Sequence, residues 1–224
     1  MVQNKPARRG RPPAYDPETA LAQARNLFWV KGFPATSLDE LSAATSMNRP
    51  SIYGAFGDKR AFYRTVLENY REKMRDDVRA ALSPDTSIRD ALTRLYALFL
   101  GLYFPSESQP LGCFMISTGL PEAATDPYVR DILAETFRGF DRMLEKRISL
   151  AVERGELPQV ADCVTLGRIA TSVVSYIAIR SRVGESREVL EDFAAAVVSH
   201  ICGPIPESPS DLVDLSRRPH VDGK

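Results

Sequence analysis

Ser37-Leu38-Asp39-Glu40-Leu41-Ser42-Ala43-Ala44-Thr45-Ser46-Met47-Asn48-Arg49-Pro50-Ser51-Ile52-Tyr53-Gly54-Ala55-Phe56 decides how this 224-residue chain is read. Ser37 and Glu40 fit a capping box, in which the hydroxyl and the carboxylate each close a backbone N–H at a helix start. The helix they open is short, to about Thr45, and Ser46-Met47-Asn48 makes a turn. Asn48 can cap a second short helix over Arg49–Phe56, where Pro50 is tolerated because it lies in the first turn. Two short helices joined by a three-residue turn form a helix-turn-helix pattern. Such a pair suits DNA, because the first turn of the second helix projects side chains into the major groove while flanking groups hold phosphates. Ordinary helical corners share the spacing, so the pattern needs support from its surroundings.

Upstream, Asp16-Pro17-Glu18 supplies an N-cap, a proline at the first helical position and an early acid. Leu21, Ala24 and Phe28 then recur on one face, and Gly32 ends that helix. Downstream, Gly57-Asp58 breaks and recaps the chain before a long fourth helix, on which Phe62, Val66, Tyr70 and Met74 stand four apart. A fifth helix carries Ile88, Leu92, Leu95, Phe99 and Tyr103. A short apolar segment, 112–119, reads as helical after a proline-flanked loop. Asp126-Pro127 starts a long helix to about Arg154, and two more helices fit 162–182 and 186–201. No stretch alternates strictly, so the chain is expected to be all-α. The expected organisation is a basic flexible arm (1–15), a helix-turn-helix domain (16–62), a connecting fourth helix (59–80), an effector-binding and dimerisation domain (81–202) and a disordered tail (203–224).

The 29 basic and 29 acidic residues cancel, but not evenly. Through Arg79 there are 14 basic against 9 acidic residues, and from Ala80 onward 15 against 20. That asymmetry suggests a polyanion-binding end on an acidic body. The longest uninterrupted apolar run, Leu95–Phe104, has ten residues, where a membrane-spanning helix needs about 20. A cytoplasmic protein with no membrane partner is therefore expected. Cys113, Cys163 and Cys202 are odd in number and far apart, which argues against a disulfide framework. His200 and His220 are the only histidines. No metal-ligand cluster, phosphate-cradling glycine loop or Ser/His/Asp arrangement is evident, so neither a metal, a cofactor nor catalysis is expected.

Residues 24 to 62 carry a more specific signal. Ala24-x-x-Leu27-Phe28-x-x-x-Gly32-Phe33-x-x-Thr36-Ser37, then Leu41, then Ser51-Ile52-Tyr53-x-x-Phe56-x-x-Lys59-x-x-Phe62 resembles the DNA-binding domain of the TetR family of bacterial transcriptional repressors. The close resemblance covers about 40 of the 224 residues. The family usually has Ala-Gly-Val where this chain has Thr45-Ser46-Met47, and often Gly at Pro50 and His at Ala55. The resemblance implies a homodimer that binds a palindromic double-stranded DNA operator and releases it when a small effector fills a pocket in the C-terminal helices, and the aromatic candidates for that pocket suggest a largely apolar effector. The resemblance also implies that the last two helices pair with those of a second subunit.

Chemistry assigns roles to the matching positions. Thr36 and Ser37 stand at a helix N-terminus, where hydroxyls and free N–H groups suit a phosphate. Tyr53 can donate to a phosphate oxygen, and Lys59 supplies charge. Arg49 is the best base reader, because its planar fork can grip guanine O6 and N7 together. Ser51 can read a base or a phosphate, and Pro50 can touch a thymine methyl. In the arm, Arg8-Arg9-Gly10-Arg11-Pro12 resembles an AT-hook core, with Arg9 and Arg11 suited to a narrow A·T minor groove. A generic basic tail explains the same residues, and an architectural, AT-preferring protein acting through the arm is the rival that they suggest. Candidate effector contacts are Phe99, Tyr103, Cys113, Phe114, Phe137, Tyr176 and Arg180. Plain core packing accounts for most such aromatic positions, and Arg180 also suits a structural ion pair. Cys113, at the head of the 112–119 segment, is either an oxidant or electrophile sensor or a small buried hydrophobe.

Overall fold

The computed structural model describes residues 15–105, 110–159 and 161–203. Among them the elements are α1 (Pro17–Lys31), α2 (Leu38–Thr45), α3 (Arg49–Phe56), α4 (Lys59–Ala81), α5 (Ile88–Tyr103), a π-helical turn (Met115–Gly119), α6 (Leu120–Ala123), α7 (Pro127–Glu153), α8 (Cys163–Arg182) and α9 (Arg187–Cys202). No strand occurs among the described residues. The all-α reading holds, and most helix starts coincide with side-chain caps. Asp16 accepts from Thr19 N, Asn48 from Ser51 N, Ser87 from Asp90 N, Asp162 from Thr165 N and Ser186 from Val189 N. The arm with Arg9 and Arg11, and the tail from Pro204, lie outside the described residues.

The helices group into two compact units, each assembled from two stretches of chain. Among the described residues, the first comprises those up to Met74 and Phe114–Glu135, the second Arg75–Cys113 and those from Thr136 on, so α4 and α7 contribute residues to both. The division expected from the sequence, a helix-turn-helix domain to 62, a connecting helix 59–80 and an effector domain from 81, is contiguous, whereas each compact unit joins two stretches of chain. Phe114 explains why the 114–135 stretch joins the first unit. Its fully buried ring lies 5.6 Å from Trp29 and 5.3 Å from Tyr70, edge-on to both. Edge-to-face aromatic pairs of this kind add to the burial of their apolar area.

Two polar ties reinforce that stretch within the first unit. The Tyr63 hydroxyl donates to Thr118 Oγ1 at 2.9 Å, and Thr118 donates to the Phe114 carbonyl at 2.9 Å. Asp126, whose side chain is 1% exposed, accepts from Arg60 Nη1 at 3.0 Å and from Arg64 Nη2 at 2.8 Å. It also accepts from the backbone N–H of Tyr128 at 3.1 Å, near the start of α7. The expected 112–119 helix begins only at Phe114, since Gly112 (φ +64°) and Cys113 are not helical, and Met115–Gly119 is widened into a π turn. Pro121 in the next turn has no N–H for the carbonyl four residues back, which removes one bond that would hold the tighter α geometry.

In the second unit, α5 packs against α8 and α9, and those two pack on each other. Close approach is achieved by glycine. A Cβ on Gly167 would lie 3.0 Å from Glu145 N, and one on Gly112 (φ +64°) 2.6 Å from the Ala178 carbonyl. Glu156 caps α5 by accepting from Ile88 N at 2.5 Å. By length and composition α8 is apolar enough to cross a membrane, although no single uninterrupted apolar run in the sequence is that long.

Candidate nucleic-acid interface

The reading head is built on buried anchors. Leu41 from α2 and Ile52 from α3 are both fully buried, and full burial of such a side chain is worth about 1.5–3 kcal/mol. Phe56 stacks on Phe62 with centroids 4.1 Å apart and planes 6° from parallel, fixing the end of α3 to α4. With Ile52 and Phe56 turned inward, Arg49, Pro50, Tyr53, Gly54 and Ala55 are left exposed. Tyr53 is 52% exposed, a large side chain with no burial to account for its position. Ser51 is half-buried beside the Asn48 cap.

The capping box at α2 is complete. Glu40 N donates to Ser37 Oγ at 3.2 Å, and Ser37 N donates to Glu40 Oε2 at 2.9 Å. Lys31 at the end of α1 also donates to Glu40. The Lys31 hydrogen bond and those from Ser37 hold the Glu40 carboxyl down at about 2, so the box stays charged through the ordinary pH range. The turn itself needs a left-handed residue, supplied by Ser46 at φ 55° and ψ 22°. This is the position at which the family resembled by the sequence usually has glycine.

Two of the sequence candidates have a different environment from the one their expected role needs. Thr36 is 2% exposed, and its hydroxyl donates to the Gly32 carbonyl at 2.7 Å. It closes the loop after α1 and offers no hydroxyl to a phosphate. Lys59 directs its ammonium to the carbonyls of Thr36 at 2.7 Å, Phe33 at 2.9 Å and Pro34 at 3.4 Å, over the Phe33 ring. Its charge ties α4 to the loop between α1 and α2. Sequence spacing could not show this, because the three carbonyls lie 23 to 26 residues away.

One residue of the head escaped the sequence reading. Asp39, in the first turn of α2, pairs with Arg49 at the start of α3, Oδ1 accepting from Nε at 2.7 Å and Oδ2 lying 2.5 Å from Nη2. The Arg49 hydrogen bond and charge hold the Asp39 carboxyl below the usual carboxylate range. Opposite charges ten residues apart, flanking a three-residue turn, were the available signal.

The effector candidates fall in both units. Phe99 and Tyr103 are buried in the second unit with centroids 5.7 Å apart, and Phe140 lies 6.2 Å from Phe99. Phe137 is half-buried, and Cys113 is 8% exposed. Phe114 belongs instead to the aromatic core of the first unit, because Trp29 and Tyr70 close around it. Tyr176 is 43% exposed, its ring 4.5 Å from Phe193 of α9. Arg180 forms an ion pair with Glu185, the structural alternative foreseen for it. A cavity of about 310 Å³ opens between α5 and α9, lined by Arg89, Thr93, Tyr96, Leu100, Ala194 and Val198 among others. None of the sequence candidates lines it.

Comparison with known proteins agrees with this architecture. The family model described as bacterial regulatory proteins, tetR family, matches residues 20–66, and that of the tetracyclin repressor-like C-terminal domain matches residues 91–197. The chain is 30% identical over 191 residues to the HTH-type transcriptional repressor ComR of Escherichia coli (strain K12), covering 85% of this chain and 90% of the relative. It is 31% identical over 193 residues to the HTH-type transcriptional repressor BdcR of the same organism, covering 85% and 91%. Among solved structures, a cysteine mutant of the TetR family regulator CifR, complexed with 26-base-pair double-strand operator DNA, superposes with a TM-score of 0.71 at 28% identity. The match covers 88% of this chain and 100% of that one.

Proposed function

The chain belongs to the TetR family of bacterial transcriptional regulators, and from that premise we propose that it is a homodimeric repressor of a palindromic operator, released by a small, largely apolar effector. The observation that carries the DNA reading is the exposed first turn of α3. Arg49, Pro50 and Tyr53 project from a helix whose Ile52 is fully buried. Buried anchors with polar and aromatic side chains facing outward are what a helix entering the major groove requires. Arg49 reads guanine, Tyr53 and Ser37 hold phosphates, and Pro50 and Ser51 border the same bases. Arg9 and Arg11 of the arm add charge along the flanking minor groove.

Homodimerisation through α8 and α9 is supported by exposed apolar side chains: Ile169, Tyr176 and Ile179 on α8, Val183 at its C-cap and Val189 on α9 are 43 to 71% exposed. Paired reading heads match operators of paired half-sites. Effector control requires the ligand to prefer the state that does not bind DNA. The effector's site lies in the second unit, with Phe99, Tyr103 and Phe137 among its candidate residues. α4, unbroken from Lys59 to Ala81 and contributing to both units, supplies the connection.

Selection of bound fragments from random DNA tests the proposal. It is expected to return a two-fold symmetric site, with Arg49→Ala relaxing one base position per half-site at a cost of about 1–3 kcal/mol. Recovery of fragments with no shared sequence would overturn the repressor reading and favour an architectural role for the arm. An effector that saturates the protein yet leaves operator affinity unchanged would remove the induction step.

A further inference from the structure

Arg49 is engaged by a carboxylate through one defined edge. Asp39 accepts from Nε at 2.7 Å and lies 2.5 Å from Nη2, the side-on edge of the guanidinium. The other edge, formed by Nη1 and the second hydrogen of Nη2, points along the end of the side chain. Guanine offers O6 and N7 side by side, and that end-on edge supplies two parallel donors for them. Asp39 and guanine therefore do not compete for the same hydrogens. The fork geometry lets one guanidinium serve both at once, which a lysine in its place could not do.

We propose that Asp39 is a positioning residue for base recognition, holding the guanidinium of Arg49 by one edge so that the other is presented to a guanine in a single orientation. The proposal rests on the reading of Arg49 as a base contact. Both side chains are exposed, 73% for Asp39 and 55% for Arg49, so the pair adds little to the stability of the fold. Its effect falls on DNA binding, and there the two contributions have opposite signs. Arg49 has many rotamers, and fixing it before DNA arrives removes an ordering cost from specific binding. The negative charge of Asp39 beside the phosphates opposes binding to every sequence. A purely structural role for Asp39 would produce neither pattern.

The test uses the full-length protein carrying Asp39→Ala, Asp39→Asn, Arg49→Ala and the Asp39→Ala/Arg49→Ala pair. Affinity is measured at one salt concentration for the selected operator, for operators altered at the base pair that Arg49→Ala relaxes, and for unrelated DNA. Asp39→Ala is expected to lower the operator-to-unrelated ratio by about 2- to 10-fold, the equilibrium equivalent of ordering one long side chain. Unrelated DNA is expected to bind as tightly or more tightly, and Asp39→Ala is expected to change little in the Arg49→Ala background. Asp39→Asn, which keeps the shape and one acceptor, is expected to fall between, with helical content and thermal midpoint unchanged. An unchanged ratio in Asp39→Ala, an increased ratio, or an equal loss in the Arg49→Ala background would each overturn the proposal. If Arg49→Ala itself leaves the ratio unchanged, the base-reading role of Arg49 fails first and the positioning role with it.

Discussion

Asp126 is the most heavily loaded carboxylate in the first unit, and replacing it gives a measurable test of how that unit is held. It is 2% exposed and accepts from Arg60 at 3.0 Å, from Arg64 at 2.8, 3.0 and 3.1 Å, and from Tyr128 N at 3.1 Å. Breaking a buried pair by removing one partner costs about 3–5 kcal/mol. Arg60 and Arg64 are 43% and 36% exposed, so their freed guanidinium groups can turn to water, which lowers the figure. Loss of the cap at α7 adds about 1 kcal/mol. Asp126→Ala is therefore expected to cost about 3 kcal/mol, or roughly 6–12 °C in midpoint for a chain of this size. Asp126→Asn keeps the volume and part of the cap, and is expected to cost less.

The pH dependence of that loss provides a second check. Burial alone would raise the Asp126 carboxyl, but hydrogen bonds from Arg60 and Arg64 outweigh it and hold the group below the usual carboxylate range. A carboxyl with a depressed folded value stabilises above its unfolded value, about 3.9, and loses that contribution as pH falls through the folded value. The gap between the original protein and Asp126→Ala should be constant from pH 6 to 8 and narrow below about pH 4. Urea unfolding followed by circular dichroism at fixed chain concentration measures both. A gap under about 1 kcal/mol at neutral pH, or no narrowing in acid, would refute the assignment of stability to this cluster.

Two further substitutions test the reading head. Lys59→Gln removes an ammonium bound to three carbonyls, and is expected to cost about 1–3 kcal/mol of stability while leaving the salt dependence of operator binding nearly unchanged. Unchanged stability with a salt slope reduced by about 1 would show that Lys59 contacts phosphate instead. Ser46→Gly relieves a left-handed backbone at φ 55°, and is expected to raise stability by up to about 1 kcal/mol in a thermal melt. A fall in midpoint would mean that the Ser46 side chain contributes more than its backbone strain costs.

The difference between what the sequence disclosed and what it hid follows the range of the interactions. Ser37 with Glu40, Asn48 with Ser51 and Asp16 with Thr19 are three residues apart, so residue type and spacing nearly determine the contact. Lys59 and Phe114 were legible as polar and apolar, but not as to destination. The carbonyls that hold Lys59 and the aromatic rings around Phe114 come from distant parts of the chain. Thr36 shows the same limit at short range. A hydroxyl one residue before a helix cap suits a phosphate or a loop carbonyl equally well, and only the fold turns it toward Gly32.

α8 carries the last step, because its residues divide into a buried face and an exposed one. Ala170, Val173, Val174, Ile177 and Ala178 are buried, together with the polar Thr171 and Ser181. Ile169, Ser172, Tyr176 and Ile179, followed by Val183 at the C-cap, are all exposed and follow one another at intervals of three, four, three and four. That interval is the seam of a helix that packs along another helix. A lipid-facing helix would be apolar around its whole girth, whereas Arg168 and Arg180 border this seam and Thr171 and Ser181 lie inside the protein. The exposed seam therefore fits a second copy of the chain better than a membrane. Ile179→Glu is expected to convert a dimer to a monomer in sedimentation, with helical content retained and operator affinity reduced. Val164→Glu, an exposed apolar position off the seam, is expected to leave the dimer intact. An Ile179→Glu protein that still sediments as a dimer would show that the subunits meet elsewhere.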